Sequence, residues 1–305
     1  MLYIYTENLF LYSKIKNFVK FLFGKKTRGP QAVEESLVLG LAELGVDFKV
    51  NRKIEDSCET SCVLNGEKTL RWAIRQKKLG KIKKLVAGPN VAVTPLDSNG
   101  LIMSPEIDKY LVPAQWSVNW WTTFNAEWAK KLDVWPAGVR DEGNLKNENG
   151  IALIFQKNAP EELLGQIGQI LLKQGIKFRV ISYGKFDRKE YFNLLQKSKY
   201  MIYLSQSESQ GLALHEAWMA NVPTLVWNRG FMEYKDYRWE DEKISAPYLS
   251  PETGMFFSGE NDFEQKLRAF LDGYKSFRPR EFSLKNFTNK ISAQKFLQII
   301  KTDEY

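Results

Sequence analysis

The feature that most constrains this chain is an unbroken alternation of short apolar runs and helical stretches that begins after Gly150. IALIF is followed by a helix from Pro160 to about Gln174, then KFRVISYG, a helix from Asp187 to about Ser198, YMIYLSQS, a helix from Gly211 to about Ala220, and PTLVWN. The runs are short and apolar, as strands buried on both faces must be. Three successive β-α units and a fourth strand make a doubly wound parallel sheet, because each right-handed crossover lays its helix on one face. Such sheets bind ligands beyond the carboxyl ends of their strands. The residues to inspect are therefore Lys157, Tyr183 and Gly184, Glu208 to Gly211, and Asn228 and Arg229.

The first half reads in the same vein, less regularly. QAVEESLVLGLAELG carries Val33, Leu37, Leu41 and Leu44 at spacings of 4, 4 and 3 and stops at Gly45, a helix with a glycine at its end. VDFKVN, KLVAG, VAVTP and YLVPAQ read as strands, with RWAIRQKKLG helical among them. Trp135, Pro136 and Gly138 then lead into the polar DEGNLKNENG. A chain of 305 residues accommodates two domains of about 150 each. The expected division is an N-terminal domain over 1–137, a linker over 138–149 and a second domain over 150–280.

Composition removes several classes of function. An apolar content of 44% with 26% charged residues describes a globular chain, and no apolar run approaches the roughly 20 residues of a membrane-spanning helix. Two cysteines, Cys58 and Cys62, cannot build a disulfide framework, and one histidine, His215, excludes multi-histidine metal centres. A reducing cytoplasm is the expected setting. The acidic WEDE at Trp239 to Glu242 reads as a solvated loop, and no Asp-x-Asp pair is present.

Charge is unevenly placed. The formal net charge of +8 rests on two runs without acids: Lys14, Lys16, Lys20, Lys25, Lys26 and Arg28, then Arg71, Arg75, Lys77, Lys78, Lys81, Lys83 and Lys84. Setting these thirteen aside leaves 31 bases against 36 acids, so the remainder is mildly acidic. Such asymmetry points to an anionic partner met by the N-terminal part, although Lys-rich faces are also ordinary solvated surface. Leu11, Ile15, Phe18 and Leu22 recur at helical spacing among the first run's lysines. Two readings stay open for that stretch: contact with an anionic membrane surface, or packing of Phe18, Phe21 and Phe23 into the N-terminal domain. It does not read as a secretory signal.

The most specific chemistry lies in SQSESQGLALHEAWMANVPTLVW. If Gly211 opens the helix, Glu208 sits in the loop at its mouth and Glu216 lies about one and a half turns in. The amides of Gly211, Leu212 and Ala213 then suit a pyrophosphate, while the two carboxylates suit sugar and ribose hydroxyls. His215 points about 100° from Glu216 on the helix and reads as a packed or half-exposed residue. A nucleotide-sugar satisfies both halves of this chemistry.

At ESQGLALHEAWMANVP the sequence resembles the retaining glycosyltransferases of family 4 (group 1), whose signature is E-G-F-G-L-x-x-x-E-A-x-A-x-G-x-P. The resemblance implies the GT-B fold: an α/β chain with two Rossmann-like domains facing across a cleft, and a C-terminal helix, here 281–305, packing back on the N-terminal domain. It implies that Glu208 contacts the transferred sugar, Glu216 the donor ribose, and Gly211 and Leu212 the donor phosphate or sugar. Lys157 matches the basic residue that holds the pyrophosphate, and TRGPQAVEESLVLGLAELG resembles the first domain's phosphate loop and helix, placing Arg28 and Gly29 at the donor. Tyr183, at its strand end, joins the donor-binding set. The implied partners are a nucleotide-sugar donor and a glycan or lipid-linked acceptor, with no metal or other cofactor.

The chain departs from the pattern in three places. The usual Gly-Arg before the Lys is missing, Ser209 and Gln210 replace Gly and Phe of the signature, and no histidine stands in the first domain. Asp97 is the acceptor-side candidate, with a turn-forming role as its alternative. Trp116, Trp120 and Trp121 suit either an acceptor sugar or the core. Two other functions share the donor chemistry: a GT-B-fold nucleotide-sugar epimerase, and a non-catalytic sugar- or polyanion-binding module. Nucleic-acid binding leaves the carboxylate pair without a role.

Overall fold

A computed structural model describes residues 1–7 and 29–302. The chain divides into two compact units, one reaching Gly138 and resumed from Asn289, the other Val139–Thr288. The first basic run and the amphipathic stretch beside it lie outside the described residues. Among the described residues no helix is long and apolar enough to cross a membrane.

The first unit is a six-stranded parallel sheet of order β2-β1-β3-β4-β5-β6, built from β1 (Leu2–Tyr5), β2 (Phe48–Val50), β3 (Cys58–Asn65), β4 (Ile82–Asn90), β5 (Lys109–Val112) and β6 (Leu132–Val134). Every residue of β1 is buried, as a strand covered on both faces requires. Helix α1 (Gly29–Glu43) ends before Gly45, whose φ of 67° is the left-handed cap foreseen from the sequence. Helix α2 (Glu67–Lys78) buries Thr69, Leu70, Ala73 and Ile74, turning its bases outward. The tryptophans of α3 (Gln115–Thr122) resolve to the core: Trp116, Trp120 and Trp121 are all buried and stack among themselves and on Trp128 and Tyr110.

One expected strand is absent. VAVTP does not extend the sheet, because Asp97 Oδ2 accepts the Val93 and Thr94 amides at 3.0 and 2.8 Å, and these are then lost to any ladder.

The second unit holds the five-stranded parallel sheet β13-β10-β9-β7-β8: β7 (Ile151–Gln156), β8 (Phe178–Ser182), β9 (Ser198–Leu204), β10 (Thr224–Trp227) and β13 (Gly254–Phe257). Helices α4 (Glu161–Lys173), α5 (Arg188–Leu195) and α6 (Leu212–Met219) connect the first four strands where the alternation placed them. Successive strand residues serve opposite faces: Ile154 and Ile202 pack with α4 side chains Ile167 and Leu171, while Leu153, Phe155, Met201 and Tyr203 pack with Tyr191 and Trp218. Between β10 and β13 stands an antiparallel hairpin, β11 (Phe231–Tyr234) and β12 (Tyr237–Glu240). Trp239 and Glu240 of the expected WEDE loop are therefore strand residues, with Glu240 paired to Arg238.

The polar segment expected as a linker is strapped along the second unit. Leu145 and Lys146 amides donate to the Ala220 carbonyl, Asn147 to Ser198, and Asp141 pairs with Arg280. Helix α7 (Glu260–Asp272) follows β13, and α8 (Pro279–Asn286) stays with the second unit. Only α9 (Asn289–Lys301) belongs to the first unit, where it lies along α1 so closely that a Cβ on Gly40 would stand 2.1 Å from the Asn289 carbonyl oxygen. Trp135 Nε1 donates to the Ser292 carbonyl and Ser292 Oγ to that of Pro136, fixing α9 in place.

Candidate functional site

The chain passes from β7 to β8 on one side and then to β9 on the other, so the order of the sheet reverses at β7 and β9. A parallel sheet opens its crevice at such a point, where the connections diverge to opposite faces. Lys157 leaves the end of β7 and Glu208 the end of β9, and their side chains meet there. Lys157 Nζ lies 2.9 Å from both oxygens of Glu208.

Glu208 is only 6% exposed. A carboxylate so buried needs partners. Besides Lys157 it has Tyr203, whose hydroxyl donates to Oε1 at 2.6 Å. Its loop is pinned by the Glu208 amide to the Ile244 carbonyl at 2.8 Å, by the Gln206 amide to Asn158 Oδ1 at 2.7 Å, and by Ser245 Oγ to the Gln206 carbonyl at 3.2 Å. Burial, and then the charge of Glu208, hold the Tyr203 phenol far above its ordinary pKa, so its proton stays on the hydroxyl and is directed at the carboxylate. On the outer side Lys157 Nζ stands 5.0 Å from the ring centroid of Tyr183, which is 54% exposed at the end of β8.

Gly211 caps α6 with φ 84°, a conformation that favours glycine, and a Cβ there would meet Leu214 Cδ1 at 3.1 Å. Leu212 opens the helix as expected. Glu216 faces Arg188 across 3.2 Å at the start of α5, both half-buried. Tyr191 anchors the same corner by donating to the Ala213 carbonyl at 2.7 Å. His215 is fully buried against Trp218, Tyr248 and Phe287, and burial pushes its pKa down to about 3, so it packs as a neutral ring.

Lys157, Tyr183 and Glu208 thus come together, with Gly211 beside Glu208 and Glu216 a little further along α6. Gly29 opens α1 in the first unit, Arg28 lies outside the described residues, and Asp97 closes a turn. Sequence reasoning missed Tyr203 and Arg188. Tyr203 lay inside an apolar strand with nothing to separate it from the core, whereas Arg188 directly follows Asp187, a recognisable N-cap whose side chain accepts the Glu190 amide.

Two parallel-sheet α/β units, with the last helix returned to the first, define the class: the chain has the GT-B fold. No protein-family model and no curated protein sequence matches it. Solved structures do. The apo form of the lipopolysaccharide outer core galactosyltransferase WaaB matches with TM-score 0.61 at 10% identity, covering 99% of each chain. AviGT4, a glycosyltransferase involved in avilamycin A biosynthesis, matches with TM-score 0.58 at 11% identity, covering 99% of this chain and 98% of its own. A mutant of S. aureus TarM in complex with fondaparinux, alpha-GlcNAc-glycerol and UDP matches with TM-score 0.55 at 14% identity, over 89% of this chain and 58% of TarM. At these identities the likeness is one of fold.

Proposed function

We propose that the protein is a glycosyltransferase of the family 4 type, moving a sugar from a nucleotide-diphosphate-sugar to an acceptor hydroxyl with retention of configuration. The observation that carries this reading is the meeting of Lys157 and Glu208 at the point where the second sheet reverses its order. A cation beside a carboxylate in that crevice matches a ligand with a diphosphate at one end and hydroxyls at the other. The shared fold with glycosyltransferases over nearly the whole chain supports it.

As the bond between the anomeric carbon and the diphosphate opens, negative charge grows on the departing phosphate. Lys157 and the amides at the start of α6 meet that charge, so the reading needs no metal. Glu208 holds the sugar, Glu216 the ribose, and Tyr183 flanks Lys157. The acceptor is a glycan or a lipid-linked acceptor, and the lysine-rich stretch before Gly29 brings the protein to an anionic membrane surface.

The test is nucleotide release with a panel of UDP-, GDP- and ADP-sugars. One donor is expected to turn over, and Lys157→Ala should lower that turnover by about 100-fold or more, the scale for loss of a group that stabilises transition-state charge. Turnover that survives Lys157→Ala unchanged removes Lys157 from this role.

A further inference from the structure

The cation of this site is engaged by the protein's own carboxylate. Lys157 gives hydrogen bonds of 2.9 Å to each oxygen of Glu208, and Tyr203 adds a third, of 2.6 Å, from below. Lys157 retains more exposure than its partner, 28% against 6%, and its outer flank carries the exposed ring of Tyr183. The pair is therefore asymmetric. The lysine can swing toward an incoming ligand, while the carboxylate is anchored by a buried phenol whose ring packs on Phe155 at 5.0 Å.

Taking the cation away from a buried carboxylate is costly unless another charge meets the cation that leaves. A neutral sugar cannot draw Lys157 away, but a diphosphate can. We propose that donor recognition is sequential in its chemistry: the diphosphate takes Lys157 from Glu208, and only then does Glu208, held in position by Tyr203, accept the hydroxyls of the sugar. Tyr203 is thereby a positioning residue for sugar recognition, and Glu208 opposes the binding of a diphosphate that brings no sugar. This deepens the donor reading given above and rests on it.

The carboxylate that favours a nucleotide-sugar thus disfavours the bare nucleotide, which sets the sign of the test. Calorimetric titrations of the full chain use UDP, GDP and ADP and the corresponding nucleotide-glucoses. Glu208→Gln keeps the size but removes the charge that both neutralises Lys157 and repels phosphate. It should tighten the nucleoside diphosphate by about 3- to 10-fold while erasing the preference for the sugar-bearing form. Tyr203→Phe keeps the ring packing and changes no charge. It should leave nucleoside-diphosphate affinity within about two-fold and lower the preference for the nucleotide-sugar about five-fold or more. Loss of folded structure alone would weaken both ligands together.

A Glu208→Gln variant that binds nucleoside diphosphate no more tightly than wild type overturns the exchange. A Tyr203→Phe variant with the full preference overturns the positioning role, and it carries the test alone if Glu208→Gln does not fold. Wild type that binds none of the six ligands defeats the donor reading itself. Binding that depends on Lys157 but not on the charge of Glu208 defeats only the present inference.

Discussion

Glu34 shows how one side chain can weigh against the fold that holds it. It lies on the second turn of α1, bonded to the Asn65 side chain at the end of β3, and burial followed by the charge of Glu7 raises its pKa to about 7. An unfolded chain ionises that carboxyl near the ordinary 4.5, so between these values the unfolded state sheds a proton that the folded state keeps. Its contribution to stability is complete below pH 4.5, declines as pH rises to about 7, and stays low beyond. Glu34→Gln should therefore melt higher than wild type at pH 8, by on the order of 2 kcal/mol in unfolding free energy, and match it at pH 4. Thermal unfolding of both proteins at the two pH values checks the sign. That Lys157 and Glu208 stand at one end of the second sheet was legible because each lies within a few residues of the end of an apolar run. For Asp97 the turn is the reading the structure shows, because an aspartate that closes a turn and one that faces a substrate stand equally well after a strand, and here its Oδ2 accepts the Val93 and Thr94 amides.

Among the elements, two helical glycines with the same letter have opposite work. Gly40 lets α1 and α9 approach until backbone meets backbone, and a Cβ there would also stand 2.7 Å from that of Ala293. Gly165 in α4 has nothing within 4 Å of the place a Cβ would occupy. Gly40→Ala should destabilise the protein by about 2 kcal/mol or more through overpacking, whereas Gly165→Ala should stabilise it by about 0.5–1 kcal/mol through helix propensity. Denaturant titration of the two variants beside wild type tests both directions. The β-α succession after Gly150 was readable because apolar runs and helical periods alternate there without interruption. The hairpin of β11 and β12 was hidden because its outer strand mixes Tyr237 and Trp239 with Arg238 and Glu240, the pattern of a solvated ribbon rather than of a sheet core. The strap from Asp141 to Asn147 was equally invisible, since backbone amides bonded to Ala220 and Ser198 leave no mark on side-chain composition.

On the scale of the whole molecule, much of the second basic run is compensated where it stands. In the second basic run Arg71 pairs with Glu67, Lys77 with Asp108, Lys78 with Glu106 and Lys83 with Glu59, while Lys84 donates to the Ile300 carbonyl. Pairs at the surface add little stability, but they cancel field. If the protein meets an anionic surface, the run from Lys14 to Arg28 is the expected contact. Replacing Lys14, Lys16, Lys20, Lys25 and Lys26 by Gln should abolish co-sedimentation with vesicles containing anionic lipid, and replacing Arg75 and Lys81 should leave it nearly intact. Equal loss from both sets, or no lipid-dependent pelleting by wild type, counts against a membrane role.

The return of α9 to the first unit also bears on how the protein is made. The bed of α1 is completed by α9, with Ala293 against Gly40 and Phe296 and Ile300 buried, residues synthesised after the entire second unit. On a ribosome the second unit, contiguous in sequence, has all its strands before the first unit has its last helix, although the first began earlier. Birth order and completion order are thus inverted, and a nascent chain halted before Asn289 presents the open flank of α1 to whatever chaperone is nearest.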